Sequence, residues 1–136
     1  MIFITGGKYQ GRLQCGLDVS GYEEGDVFDF ARANSIEYAG SHKEFGDCKI
    51  WYNLQEYVRS LAANGTEAYQ IEKMVKALVE NNTPEVIIMA EVGAGIIPMS
   101  AEDNIFREAS GRLSVYYADK ANEVYRVICG IKTQLK

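Results

Sequence analysis

Apolar and polar positions fall in short blocks along this chain, and the period of each block separates strands from helices. Ile2-Phe3-Ile4-Thr5 is an apolar run ending in Gly6-Gly7, the pattern of a buried strand feeding a tight turn. Arg12 to Val19 reads as a short helix weakened by Gly16. Cys48-Lys49-Ile50-Trp51-Tyr52 has strand composition. Leu54, Tyr57, Val58 and Leu61 recur with a helical spacing that stops at Asn64-Gly65. Thr66 is placed to cap a second helix, whose apolar stripe is Ile71, Met74, Val75, Leu78 and Val79 and whose end is Asn81-Asn82-Thr83-Pro84. Val86 to Ala90 is apolar throughout, as in a central parallel strand covered on both faces. Beyond Gly93-Ala94-Gly95, Ser100 and Asp103 resemble a capping box opening a helix that runs to about Lys120. Val124 to Cys129 is the last predicted strand. Residues 20–46 have no clear period, and Val27, Phe28, Phe30 and Ala31 suit a helix or a strand equally.

This alternation predicts one three-layer α/β domain over residues 1–136. Its mainly parallel sheet holds strands near 2–5, 48–52, 86–90 and 124–129, with helices on both faces. A hydrophobic fraction of 47% and a charged fraction of 24% agree with a globular core and exclude disorder. The net charge of −5 argues against a phosphate-tracking nucleic-acid surface, which needs clustered Lys and Arg. No apolar run approaches the roughly 18 residues of a membrane span. Met1-Ile2-Phe3 has no basic stretch of a secretory signal, so a cytoplasmic location is expected. Cys15, Cys48 and Cys129 are odd in number and far apart, which suits three reduced, buried, apolar thiols rather than a zinc or redox motif. With His42 as the single histidine, a multi-histidine metal site is excluded and no metal ligands are assigned.

Two glycine-rich segments carry candidate chemistry. Gly6-Gly7-Lys8-Tyr9-Gln10-Gly11-Arg12-Leu13 lies between the first strand and a helix, with the glycine spacing of a phosphate-binding loop. In such a loop a Lys and a Ser or Thr follow the last glycine, to neutralise phosphate charge and to ligate Mg²⁺. Here they are Arg12 and Leu13. Arg keeps the charge on a longer planar group, and Leu cannot ligate a metal. Backbone amides at the helix start can still receive an anion, so Gly6, Gly7, Lys8, Gly11 and Arg12 are candidate nucleotide-binding residues; an ordinary glycine turn is the competing reading. The second segment, Glu91-Val92-Gly93-Ala94-Gly95, follows the central strand at the sheet edge where α/β proteins bind ligands. Glu91 and Gly93 are candidate contacts there, against a plain strand-to-helix connection with Glu91 solvated.

Glu91-Val92-Gly93-Ala94-Gly95-Ile96-Ile97-Pro98, Phe106-Arg107-Glu108, Gly111-Arg112, Ala121-Asn122-Glu123-Val124 and Gly130-Ile131 with Leu135-Lys136 form an ungapped block. This block resembles the C-terminal third of the adenosylcobinamide kinase / adenosylcobinamide-phosphate guanylyltransferase family of cobalamin biosynthesis. Met1 to Gly11 is similar to the family's opening strand and phosphate loop. Residues 20–85 match loosely, and family members are longer there.

The resemblance implies a P-loop NTPase-like, RecA-like fold. It implies phosphorylation of adenosylcobinamide from GTP or ATP with Mg²⁺, then GMP transfer through a histidine-bound intermediate. A nucleotide and a corrinoid would be the partners, and a homotrimer the assembly; of the adjacent Tyr116 and Tyr117, one is then expected in a subunit contact. Four departures weaken the enzyme reading. The loop Lys-Ser is Arg12-Leu13, the acidic residue after the second core strand is replaced at Tyr52 or Asn53, the residue before Glu91 is Ala90, and much of the segment carrying the guanylylated histidine is missing. His42 is the one candidate nucleophile, separated by five residues from the strand at Cys48. The favoured reading is a shortened, degenerate member that binds nucleotide weakly or not at all. The alternative is an active kinase and guanylyltransferase.

Overall fold

In a computed structural model of the chain, residues 1–32, 45–93 and 100–136 are described. The element order is β1 (Ile2–Gly6), α1 (Arg12–Ser20), β2 (Val27–Asp29), β3 (Ile50–Tyr52), α2 (Leu54–Ala63), α3 (Ala68–Asn82), β4 (Val86–Ala90), α4 (Ala101–Lys120), β5 (Glu123–Ile128) and β6 (Ile131–Gln134). The six strands form one sheet in the order β2-β3-β4-β1-β5-β6. All neighbours are parallel except β5 and β6. β1 is central, with Ile2 opposite both Val86 and Glu123. This is the α/β fold expected from the alternation, and it is consistent with a P-loop NTPase-like chain. The undecided stretch at Val27 resolves as a short edge strand, because Phe28 and Phe30 turn into the core beside Trp51.

The helices divide between the two faces of the sheet. On one face α1 packs Cys15, Leu13 and Leu17 against Ile4, Ile50, Ile88 and Val127. On the other, α2, α3 and α4 cover Phe3, Trp51, Ile87, Met89 and Val124. Every residue of β4 is buried, which is why its sequence lacks alternation. Burying a side chain such as Ile87 or Ile88 contributes about 1.5–3 kcal/mol each, so β4 and its neighbours anchor the sheet edge that carries the loops.

Three expectations are corrected. Thr66 does not cap α3. Its amide, with that of Gly65, closes the end of α2 on the Leu61 and Ala62 carbonyls, so the N-cap of α3 is Glu67, one residue later, with no side-chain cap bond. Cys15 and Cys48 are buried free thiols, but Cys129 is exposed. The last predicted strand stops at Ile128, since Cys129 (φ 50°) and Gly130 (φ 76°) form a two-residue hairpin turn into β6. At the head of α4, Ser100 Oγ accepts from the Asp103 amide, the half of the expected box that the structure contains. Tyr117 lies in the core with its ring centroid 6.4 Å from that of Phe3. Tyr116 is half-buried under the Lys76 ammonium, 4.1 Å from its centroid.

Candidate functional site

Parallel pairing brings the C-terminal ends of β1, β2, β3 and β4 to one edge, with Gly6 opposite Ala90 and Asp29 opposite Tyr52. The candidate phosphate loop leaves β1 there. Gly6 is required by close approach: a Cβ on it would stand 2.5 Å from the Val127 carbonyl oxygen. Gly11, at φ 91°, is the N-cap of α1. The loop is latched to the β5–β6 turn, where Gln10 accepts at Oε1 from the Cys129 amide (2.6 Å) and at its carbonyl from the Gly130 amide (2.8 Å). Tyr9, at φ 60°, stands fully exposed at the apex. Lys8 pairs with Glu56 of α2 at 3.4 Å.

Arg12 ties the first turn of the loop to the end of β3. It is 3% exposed. Its Nε donates to the Gly7 carbonyl at 3.2 Å, its Nη2 donates to Asn53 Oδ1 at 3.1 Å, and its guanidinium lies 5.4 Å from the centroid of the Tyr52 ring. Asn53 follows β3 in a left-handed conformation (φ 59°). It donates through Nδ2 to Asp29 Oδ1 at 2.9 Å and accepts from Gln55 Nε2 at 3.2 Å. Gln55 in turn accepts the Ala90 amide at 2.9 Å. One hydrogen-bonded chain thus links the loop, β2, β3 and the end of β4. Burial pulls the Arg12 pKa below its ordinary value, against the opposing pull of Tyr52, Asp29 and Glu56. Beside this chain lies a cleft of about 750 Å³, bordered by Lys8, Arg12, Asp29, Tyr52, Asn53 and Gln55 among others.

The second segment stands on the other side of the loop. The Glu91 amide donates to the Gly6 carbonyl at 2.9 Å, which sets Glu91 beside the start of the candidate loop. Its carboxylate is engaged by Arg126 of β5 through Nε (2.6 Å) and Nη2 (3.1 Å). The Gly93 carbonyl accepts from Arg107 Nη2 at 2.7 Å. Neither Glu91 nor Gly93 borders the cleft. His42 lies outside the described residues, as do Ala94 to Met99. The sequence did not single out Asp29 or Gln55. Asp29 stood in the unread stretch, and Gln55 falls outside the apolar stripe of α2.

Among the described residues, the two positions that the resemblance offers at the loop and after β3, Leu13 and Asn53, do not fit the implied Mg²⁺. Leu13 has no donor atom, and Asn53 Oδ1 already accepts from two groups, one of them a cation. Among the described residues no group of three or more His, Cys, Asp or Glu side chains is arranged to hold a metal ion.

The sequence profile of the family described as cobinamide kinase / cobinamide phosphate guanyltransferase matches residues 47–135, more than half of the chain. The chain belongs to that family. It is 34% identical over 67 residues to the bifunctional adenosylcobalamin biosynthesis protein CobU of Escherichia coli (strain K12). The match covers 49% of this chain and 37% of that relative, so the chain spans well under two thirds of the relative's length. No helix among the described residues is long and apolar enough to cross a membrane.

Proposed function

We propose that this chain is a member of the family without metal-dependent phosphoryl and guanylyl transfer, retaining weak, Mg²⁺-independent nucleotide binding at the loop from Gly6 to Arg12. The observation that carries this reading is the placement of Arg12. The cation that should meet the β- and γ-phosphates is folded under the loop and bonded to Gly7 and Asn53. Phosphoryl transfer depends on positioning and on metal-assisted charge stabilisation, and the resemblance puts Leu13, with Tyr52 or Asn53, at the positions of the residues that would organise the metal. An amide coordinates Mg²⁺ less well than a carboxylate. Guanylyl transfer would need His42 held over an α-phosphate, and the segment around it is much shorter than in the family.

The test is incubation with labelled GTP, Mg²⁺ and adenosylcobinamide. No phosphorylated corrinoid and no protein-bound label are expected, and GTP should raise the melting temperature slightly and equally with or without Mg²⁺. Label that survives denaturation and is lost in His42→Asn would restore the enzyme reading. Homo-oligomerisation, implied by the family, belongs to the same proposal. Val115 and the half-exposed Tyr116 on α4 are candidates for the contact, and a monomer by light scattering would refute it.

A further inference from the structure

We propose that β6 is an assembly edge, on which the β6 strand of a second copy of this chain pairs antiparallel about a two-fold axis beside Thr133. This goes beyond the reading above, which places no contact on β6. A strand at the edge of a sheet leaves a row of backbone groups open, and proteins ordinarily blunt it with proline, charge or a covering segment. β6 ends the sheet, contains no proline and one charged residue, Lys132, and is exposed at all four positions. Ile131 is 70% exposed, and Ile128 and Leu135 beside it are exposed as well.

Register decides what this edge offers. The two-residue turn at Cys129-Gly130 makes Ile128 and Ile131 a hydrogen-bonded pair, and Arg126 with Thr133 the next. The backbone groups of Ile131 and Thr133 are thus spent on β5, and those of Lys132 and Gln134 point out of the sheet. The Leu135 amide, 2.7 Å from the Val124 carbonyl, continues the alternation. Val124 donates to the Lys136 carbonyl, a bulge that ends the ladder and confines pairing to about the length of β6. A second β6 can use the outward groups only in registers that set even-numbered residues opposite even-numbered ones. Centred on Lys132, such a register opposes Lys132 to itself; centred on Gln134, it opposes Lys132 to Lys136. Centred on Thr133, it sets Lys132 against the neutral Gln134 and Lys136 against Gly130, so no like charges are opposed. Thr133 then faces its own copy, and Ile131 faces the exposed Leu135. The faces agree with this. Lys132 lies opposite Val127, a core residue on the α1 side of the sheet, whereas Ile128, Ile131 and Thr133 share the other side. The lysines therefore project away from the apolar row that pairing completes. A contact this short falls below the roughly 1,200 Å² of stable complexes, so association is weak.

The experiment is amide hydrogen exchange by NMR on the full chain at about 10 µM and about 1 mM, alongside sedimentation velocity. The Lys132 and Gln134 amides should gain protection at the higher concentration as a dimer forms, while those of Ile131 and Thr133 stay protected throughout. A second test uses the symmetry of the register. In Cys129→Ser, which removes the exposed native thiol, Thr133→Cys should give a disulfide-linked dimer with oxidised glutathione, because non-hydrogen-bonded partners lie about 4.5 Å apart at Cα. Gln134→Cys in the same background should not, since it faces Lys132. Thr133→Lys, at an exposed position, opposes two ammonium groups and should weaken association about tenfold or more. A monomer at 1 mM, equal cross-linking of Gln134→Cys, or undiminished association of Thr133→Lys would overturn the inference. Protection of Lys132 and Gln134 in a monomer would do so too, since the chain itself would then cover the edge. An oligomer formed through α4 leaves these two amides unprotected, so the contact suggested above and this one fail separately.

Discussion

Replacing Gln55 with Ala tests whether the site and the core are one construction. Gln55 is 1% exposed at the head of α2, and its two polar ends do different work. Oε1 accepts the Ala90 amide, and Nε2 donates to Asn53 Oδ1. Truncation leaves the Ala90 N–H buried without this partner, at about 1–3 kcal/mol. It also removes one ordinary hydrogen bond from Asn53, which Arg12 still holds, at about 1 kcal/mol. The void left by the side chain adds to this, so a loss of about 3 kcal/mol is expected. For a chain of this size that corresponds to a melting temperature lower by about 10 °C. Trp51, the single tryptophan, is fully buried on the neighbouring strand and reports unfolding by fluorescence in urea. A shift of the urea midpoint worth less than about 0.5 kcal/mol, with an unchanged slope, would refute the reasoning, because an orphaned buried amide cannot be that cheap.

Tyr22→Phe removes the hydrogen bond that Tyr22 donates to Glu85 at 2.6 Å, a bond that holds the Glu85 pKa below its ordinary 4.5. A depressed folded-state carboxylate pKa contributes stability above the unfolded value and loses it as pH falls through the folded value; the gap between wild type and Tyr22→Phe should therefore close below pH 4.5 in acid melts. The same bond raises the Tyr22 pKa, so the gap should also close as pH rises past the tyrosine range. Gly93→Ala should destabilise by about 1–2 kcal/mol in urea melts, because φ is +87° and the new Cβ would run into the Arg107 guanidinium. A double-mutant cycle on Glu91 and Arg126 should give a small coupling that shrinks further in molar salt, since both side chains are partly solvated.

The parts of the fold that were legible in the sequence are those where burial alone sets the pattern. β4 is buried at every position and reads as an unbroken apolar run. In α2, Leu54, Val58 and Leu61 face the core at helical spacing. β6 was illegible because none of its residues is buried, so no hydrophobic signal marks it. Its hairpin turn is Cys129-Gly130, where the usual marker would be Asn or Asp before Gly. Gln55 was illegible for the opposite reason. It is a polar residue buried because the end of β4 offers it an unpaired amide, a partner 35 positions away that no local period reveals.

The candidate site was legible as a place and not as an arrangement. The glycine spacing located the loop, and the identities of Arg12 and Leu13 marked its departure from a metal-nucleotide site. What spacing could not convey is the direction of the Arg12 side chain, which is decided by two acceptors outside the motif's code, the Gly7 carbonyl and Asn53 Oδ1. These two changes fit each other physically. A carboxylate at position 53 would pair directly with a guanidinium at position 12 and stand against Asp29, whose Oδ1 is 2.9 Å from the present amide nitrogen. Asn53 avoids that repulsion by donating to Asp29 while accepting from Arg12. Arg12 and Asn53 are therefore coupled in this chain: Asn53 serves Asp29 and Arg12 at once, and Arg12 Nη1 is left buried without a partner.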